Sequence, residues 1–228
     1  MKKILTTLLL LLVFGFISAQ KVDTIIKVKF NGQLIYTSYF CKAYKVPLYV
    51  SYKLYNCPQG SEVSRKGLTF KNDIKGLKTA TPKDYSGSKY DEGHMADAAD
   101  FSTKSDSGER EKLTFRFYNA LPQTHNLNGG IWKSLETTVR KESATDSLLV
   151  ICGGIFKTNT TLNNIPNGVV IPTYCWKVVK DLKTGKYIHI SVFTNNLQEG
   201  STEQKLNTID ELKKMILSGP TGYKIDLF

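Results

Sequence analysis

Several things the sequence lacks narrow what it can be. It carries no GxSxG, HExxH or GxxxxGK[ST], so the common serine hydrolases, zinc proteases and P-loop enzymes are without their signatures. Its four cysteines, at intervals of 16, 95 and 23 residues, contain no CxxC, which leaves a structural zinc site little support. Beyond the first twenty residues no apolar stretch is long enough to span a bilayer as a helix, so no stable membrane association is expected. There is no internal repeat, long linker or break in composition. Acidic residues are scarce, 20 against 31 Lys and Arg, giving a formal charge of +11 and a field that favours polyanions such as nucleic acid. With 41% hydrophobic and 22% charged residues over 228 positions, a disordered, collagen-like or coiled-coil chain is excluded.

At the N-terminus, Lys2 and Lys3 precede a largely apolar stretch from Ile4 to Ile17, followed by Ser18-Ala19-Gln20. Its 14 residues fall short of the about 20 that a spanning helix needs, and a small residue stands at a cleavable position. This reads as a signal peptide over residues 1–19, with residues 20–228 forming one domain, secreted or periplasmic after cleavage. Cleavage after Ala19 leaves 209 residues and a formal charge of +9. Outside the reducing cytoplasm disulfides are allowed. Cys41 with Cys57 would bracket a hairpin and Cys152 with Cys175 would join two apolar strands, while the latter two read equally well as small buried residues.

Alternation of apolar and polar residues predicts strands over Asp23–Tyr36, with a hairpin turn at Phe30-Asn31-Gly32-Gln33, and over Pro47–Leu54. Further strands are expected at Leu113–Tyr118, Ser147–Phe156, Gly168–Val179 and Lys186–Thr194, and loop over most of Pro58–Ser88. A helix beginning near Asn128 carries Trp132, Leu135 and Val139 as an apolar stripe. A second follows Thr208-Ile209-Asp210-Glu211, a capping-box pattern. The class is therefore α+β, a central and mostly antiparallel sheet flanked by helices.

Of the three histidines, His125 reads as a surface residue and His189 as a strand residue. His94 follows Asp91-Glu92-Gly93, and three further groups come after it: Asn119-Ala120-Leu121-Pro122-Gln123, Leu127-Asn128-Gly129-Gly130-Ile131-Trp132-Lys133-Ser134-Leu135-Glu136, and Arg140. On a regular helix Asn128, Trp132, Glu136 and Arg140 form a gently drifting stripe, each step of four advancing about 40°. Taken alone, this is an amphipathic helix with a Glu136-Arg140 pair worth ~0.2 to 0.5 kcal/mol.

Taken together, these segments resemble the DNA/RNA non-specific endonucleases of the ββα-metal class, the endonuclease G-like family. That family has an Asp-Arg-Gly-His box, an Asn-x-x-Pro-Gln strand end, and Leu-Asn-x-Gly-x-Trp-x-x-Leu-Glu with Arg one turn later. The likeness runs in order over roughly residues 45–228. It implies a nuclease that hydrolyses phosphodiester bonds of DNA and RNA, leaving 5′-phosphate and 3′-hydroxyl ends. It also implies His94 as general base, suited by its ordinary pKa near 6.5, and Asn128 as the direct protein ligand of Mg2+, with Mn2+ an alternative. Glu136 would hold metal-bound water, Arg140 would reach phosphate, and Arg65, in Ser64-Arg65-Lys66-Gly67, would stabilise the pentavalent phosphorus.

Two positions depart from the pattern. The family's Arg is Glu92 here, an anion where a phosphate contact would stand, and Gly129 lies where relatives often carry a polar or basic side chain. Glu92 would either leave the phosphate clamp to Arg65, Arg140 and lysines, or be recruited to a metal-bound water, to His94 or to a salt bridge with a lysine such as Lys89. A catalytically weakened nucleic-acid-binding relative is the alternative function. Oligomeric state, disulfide pairing and preference between DNA and RNA are not fixed by the sequence.

Overall fold

The protein is described here from a computed structural model covering residues 22–57, 63–157, 163–198, 200–218 and 222–226. The expected signal peptide lies outside the described residues. Eleven strands are formed among the described residues: β1 Thr24–Phe30, β2 Gln33–Cys41, β3 Val46–Leu54, β4 Tyr90–His94, β5 Ala120–Thr124, β6 Leu148–Ile155, β7 Asn164–Ile165, β8 Val169–Val170, β9 Tyr174–Asp181, β10 Tyr187–Thr194 and β11 Glu203–Lys205. Seven of them make one antiparallel sheet in the order β1-β2-β3-β6-β9-β10-β11, with β4-β5 and β7-β8 as separate pairs. The helices are α1 Pro82–Tyr85, α2 Glu109–Lys112, α3 Lys133–Glu142 and α4 Ile209–Leu217.

The β1-β2 turn follows from its two residues. Asn31 and Gly32 both have positive φ, 47° and 81°, which suits the right-handed twist of the flanking strands. The central strands β3, β6 and β9 are buried along most of their length, and Leu48, Val50, Val150, Ile151, Val178 and Val179 from them join one continuous hydrophobic cluster. At α4, the Thr208 hydroxyl accepts from the Glu211 amide at 3.3 Å, as the capping pattern predicts.

Two expectations are corrected, and the state of the cysteines, left open by the sequence, is resolved. Leu113–Tyr118 is not a strand: Asn119 donates its side-chain amide to the Thr114 carbonyl at 2.9 Å, its own N–H bonds Arg116, and the chain coils into a short 3-10 turn. Gly168–Val179 divides into β8 and β9, separated by Ile171-Pro172-Thr173, whose Pro172 carbonyl accepts from Asn195. All four cysteines are thiols. Cys41 closes β2 beside Val46, whereas Cys57 lies beyond the far end of β3, roughly 26 Å of strand away. Cys152 faces Lys177 and Cys175 faces Gly154, so the two are diagonal neighbours, farther apart than a disulfide normally spans.

Candidate active site

The strands β4 and β5 pair antiparallel, with His94 opposite Ala120, and the chain then runs through Leu127–Trp132 into α3, so two strands and a helix form one unit. Two side chains lock the strands in place. Asn119 accepts from the Ala96 amide at 2.9 Å and donates to the Ala96 and Thr114 carbonyls, pinning the segment after His94. Gln123 lies across Gly93 so closely that a Cβ there would stand 1.9 Å from its Oε1, which explains a glycine before the histidine.

A cleft of about 440 Å³ opens beside this unit, lined among others by Arg65, His94, Asp97, Asn128, Lys133, Glu136 and Arg140. Every residue assigned a role from the sequence is therefore on one wall or another of a single cleft. The helical geometry differs from the expected stripe. Leu127–Trp132 is a wide π turn with Gly130 at non-helical φ −105° and ψ −111°, and regular helix begins only at Lys133. Asn128 nonetheless lines the cleft with Glu136 and Arg140, while Trp132 is buried.

The His94 ring packs between Phe70 and Phe115, with centroids 4.5 and 4.7 Å away. Its Nε2 is closed from bulk solvent and has no hydrogen-bond partner. Desolvation, with the positive Arg65 nearby, outweighs the pull of Asp97 and lowers the imidazole to about 4, so the ring is neutral at physiological pH. Asn128 donates through Nδ2 to Asp91 Oδ2 at 3.0 Å. That bond assigns the amide orientation and leaves Oδ1, a hard neutral oxygen, as its remaining donor atom. Among the described residues no group of three or more His, Cys, Asp or Glu is placed to hold a metal ion, so an ion at Asn128 would keep most of its water, as Mg2+ does. The donor chemistry at Asn128 fits that ion.

Beneath the cleft lies a charge cluster that the sequence reading did not contain. Arg140 donates from Nε to Asp100 Oδ1 at 3.0 Å and from Nη2 to Asp97. Lys177, 1% exposed in the middle of β9, donates to Glu136 Oε1 at 3.2 Å and sits 4.1 Å above the Trp132 ring. Burial raises Glu136 to about 7, with Asp97 adding to the shift and Lys177 opposing it. Desolvation draws Lys177 and Arg140 down, but their acidic neighbours outweigh it and hold both above their usual values. Arg65 is engaged by the fully buried Glu111, while its side chain remains 40% exposed at the cleft.

The profile of the DNA/RNA non-specific endonucleases matches residues 20–226. The chain belongs to that family. It is 36% identical over 100 residues to a nuclease of Nostoc sp., covering 43% of this chain and 34% of that one. It is 24% identical over 197 residues to a nuclease of Serratia marcescens, covering 81% and 73%. The solved EndoG/EndoGI complex shares the fold, with a TM-score of 0.70 at 21% identity over 87% of this chain and 86% of that one. The chain thus spans about a third of the Nostoc relative's length but most of the other two.

In this member of the endonuclease family, Glu92 is not part of the cleft wall. It lies half-buried on β4, within the electrostatic reach of Tyr85, and desolvation raises its carboxyl. No salt bridge joins it to Lys89 among the described residues. His125 is an exposed surface residue, 3.0 Å from Asp91, and His189 lies in β10 against Glu142 at 2.9 Å. The residues missed from the sequence left faint signals: Asp97 and Asp100 stand three apart in an alanine-rich segment just after His94, and Lys177 interrupts Cys175-Trp176-Val178-Val179.

Proposed function

We propose that the chain is an exported, Mg2+-dependent endonuclease that hydrolyses DNA and RNA with little sequence preference. Residues 20–228 are its single catalytic domain after removal of the signal peptide, and the products carry 5′-phosphate and 3′-hydroxyl ends. The observation that carries this reading is one cleft lined by a neutral His94 and by Asn128, whose amide oxygen takes no part in its bond to Asp91 and suits a hard metal ion. Its sequence-indifferent binding would come from backbone electrostatics.

His94 accepts the proton of the attacking water, and Phe70 and Phe115 packed against its ring fix it for that transfer. Asn128 would hold Mg2+, or Mn2+ in its place, and a bound ion would supply neutralisation of the charge on the leaving 3′ oxygen. Asp91 orients the Asn128 amide. Glu136 orders water at the cleft floor, with Lys177 supporting its carboxylate. Arg65 presents its exposed guanidinium edge to the phosphate. Arg140 acts through Asp97 and Asp100, fixing the segment after His94.

The alternative, a weakened relative that binds nucleic acid without useful turnover, is favoured by one observation: two of the Arg140 donor nitrogens are engaged by carboxylates. Digestion of plasmid DNA and of RNA with Mg2+ and with EDTA separates the readings. Cleavage that needs Mg2+ and falls about 10² to 10⁴-fold in His94→Ala is expected; binding without Mg2+-dependent cleavage would establish the alternative.

A further inference from the structure

A second concavity, about 690 Å³, is lined by Phe70, the residue whose ring packs on His94. Phe70 belongs to both places: it packs 4.5 Å from the imidazole, centroid to centroid, and it lines the groove. The groove walls carry Lys45, Lys71 and Lys78 with neutral polar residues such as Asn72, and no Asp or Glu lines them. Lys45 is tied down, its Nζ donating to the Asn167 carbonyl and at 3.2 Å to Asn167 Oδ1. Lys71 and Lys78 are exposed and have no ion-pair partner among the described residues.

The charge of the surrounding segment is one-sided. Residues 65–84 hold six basic side chains and two acidic ones, Asp73 and Asp84. Both acids are engaged: Asp73 accepts from Arg116 and Tyr118, and Asp84 accepts from the backbone and hydroxyl of Thr81. The free lysines therefore keep their field for something outside the chain. Groups of alternating cation and apolar ring surface suit a phosphodiester strand, whose charges repeat while its bases and sugars offer flat apolar faces.

We propose that this groove binds the polynucleotide strand next to the scissile phosphate, Lys71 and Lys78 contacting successive phosphates while the half-buried Phe70 meets base or sugar. The proposal rests on the nuclease reading for its register with His94, but its test does not depend on cleavage. Binding of a labelled single strand of about 20 nucleotides, longer than one site, would be followed by fluorescence anisotropy of the purified protein in EDTA across a salt series. Lys71→Gln/Lys78→Gln should weaken binding roughly tenfold and flatten the slope of log affinity against log salt by about 1.4, two contacts at about 0.7 each. Lys27→Gln/Lys29→Gln, removing the same charge from the exposed side of β1, should leave the slope nearly unchanged.

Equal losses in the two double variants would reduce the effect to overall charge and overturn the proposal, as would an unchanged slope in Lys71→Gln/Lys78→Gln. Displacement of the strand by polyglutamate of equal charge would also overturn it, in favour of an acidic protein partner. If the wild-type protein cleaves nothing yet the first pair alone loses slope, the groove stands and the catalytic reading falls.

Discussion

Lys177 Nζ lies 3.2 Å from Glu136 Oε1 and 4.1 Å from the centre of the Trp132 ring, so one buried ammonium supports both a carboxylate at the cleft and the indole beneath it. Lys177→Met strips Glu136 of the charge that opposes its raised pKa. Breaking a buried pair from one side costs about 3 to 5 kcal/mol when the remaining charge stays uncompensated, and protonation of Glu136, already near 7, softens that loss. We expect lower stability in urea and an acid limb of the pH–rate profile displaced to higher pH. Lys177→Arg, which keeps the cation, should restore the limb in part. Identical profiles for Lys177→Met and wild type would confine Lys177 to packing.

The pH dependence of stability should carry two opposed contributions. His94 is lowered from 6.5 to about 4, so its contribution is complete above pH 6.5 and is lost as pH falls toward 4. Glu136 is raised from 4.5 to about 7, so its contribution is complete below pH 4.5 and is lost as pH rises through 7. Between pH 4.5 and 6.5 they partly cancel. His94→Gln removes only the first, and the stability difference between wild type and variant should grow with pH across that window by on the order of 2 kcal/mol. Parallel curves from urea melts would contradict the desolvated histidine.

Asp91 offers one oxygen, Oδ2, to Asn128 Nδ2 at 3.0 Å. Asp91→Ala frees the amide to rotate and should raise the Mg2+ half-saturation of cleavage about 10-fold or more while leaving global stability nearly unchanged. Asp91→Asn keeps an acceptor and should recover part of the affinity. Unchanged half-saturation in Asp91→Ala would remove Asp91 from metal binding.

Glu92 stands off the cleft wall with its carboxyl raised by burial. Glu92→Arg should therefore tighten substrate binding through relief of like-charge repulsion, an effect that fades with salt over a screening length of about 8 Å. Its kcat should stay near that of wild type. A marked fall in kcat with tighter binding would show that Glu92 serves the reaction.

The residues that line the cleft were easier to pick from the sequence than those packed beneath it. The His94 and Asn128 boxes were legible through the resemblance of their motifs to the endonuclease family, and the α3 stripe followed from the positions of Leu135 and Val139. Lys177 was hidden because β9 is buried along both faces, where no alternation marks an inward-pointing charge. Asp97 and Asp100 meet Arg140 across about forty residues, a pairing that no local pattern announces. The π turn at Leu127–Trp132 broke the regular helical count from Asn128. Leu113–Tyr118 failed as a strand because Asn119 supplies side-chain bonds that hold a coil.

The four reduced cysteines have a practical consequence. Cys41, Cys152 and Cys175 are 0% exposed and Cys57 8%, placed on β2, β6, β9 and just past β3. Burial raises every one of these thiols, to about 12 for Cys152 and Cys175, so few thiolates form at neutral pH even if a reagent arrives. An alkylating reagent then meets Cys41, Cys152 and Cys175 only after their strands open, and Cys57 once the segment past β3 loosens. The chain thus carries its own clock for local and global unfolding, read by mass spectrometry at three points of one sheet and one beside it, and a reducing buffer will not loosen the fold while that clock is calibrated.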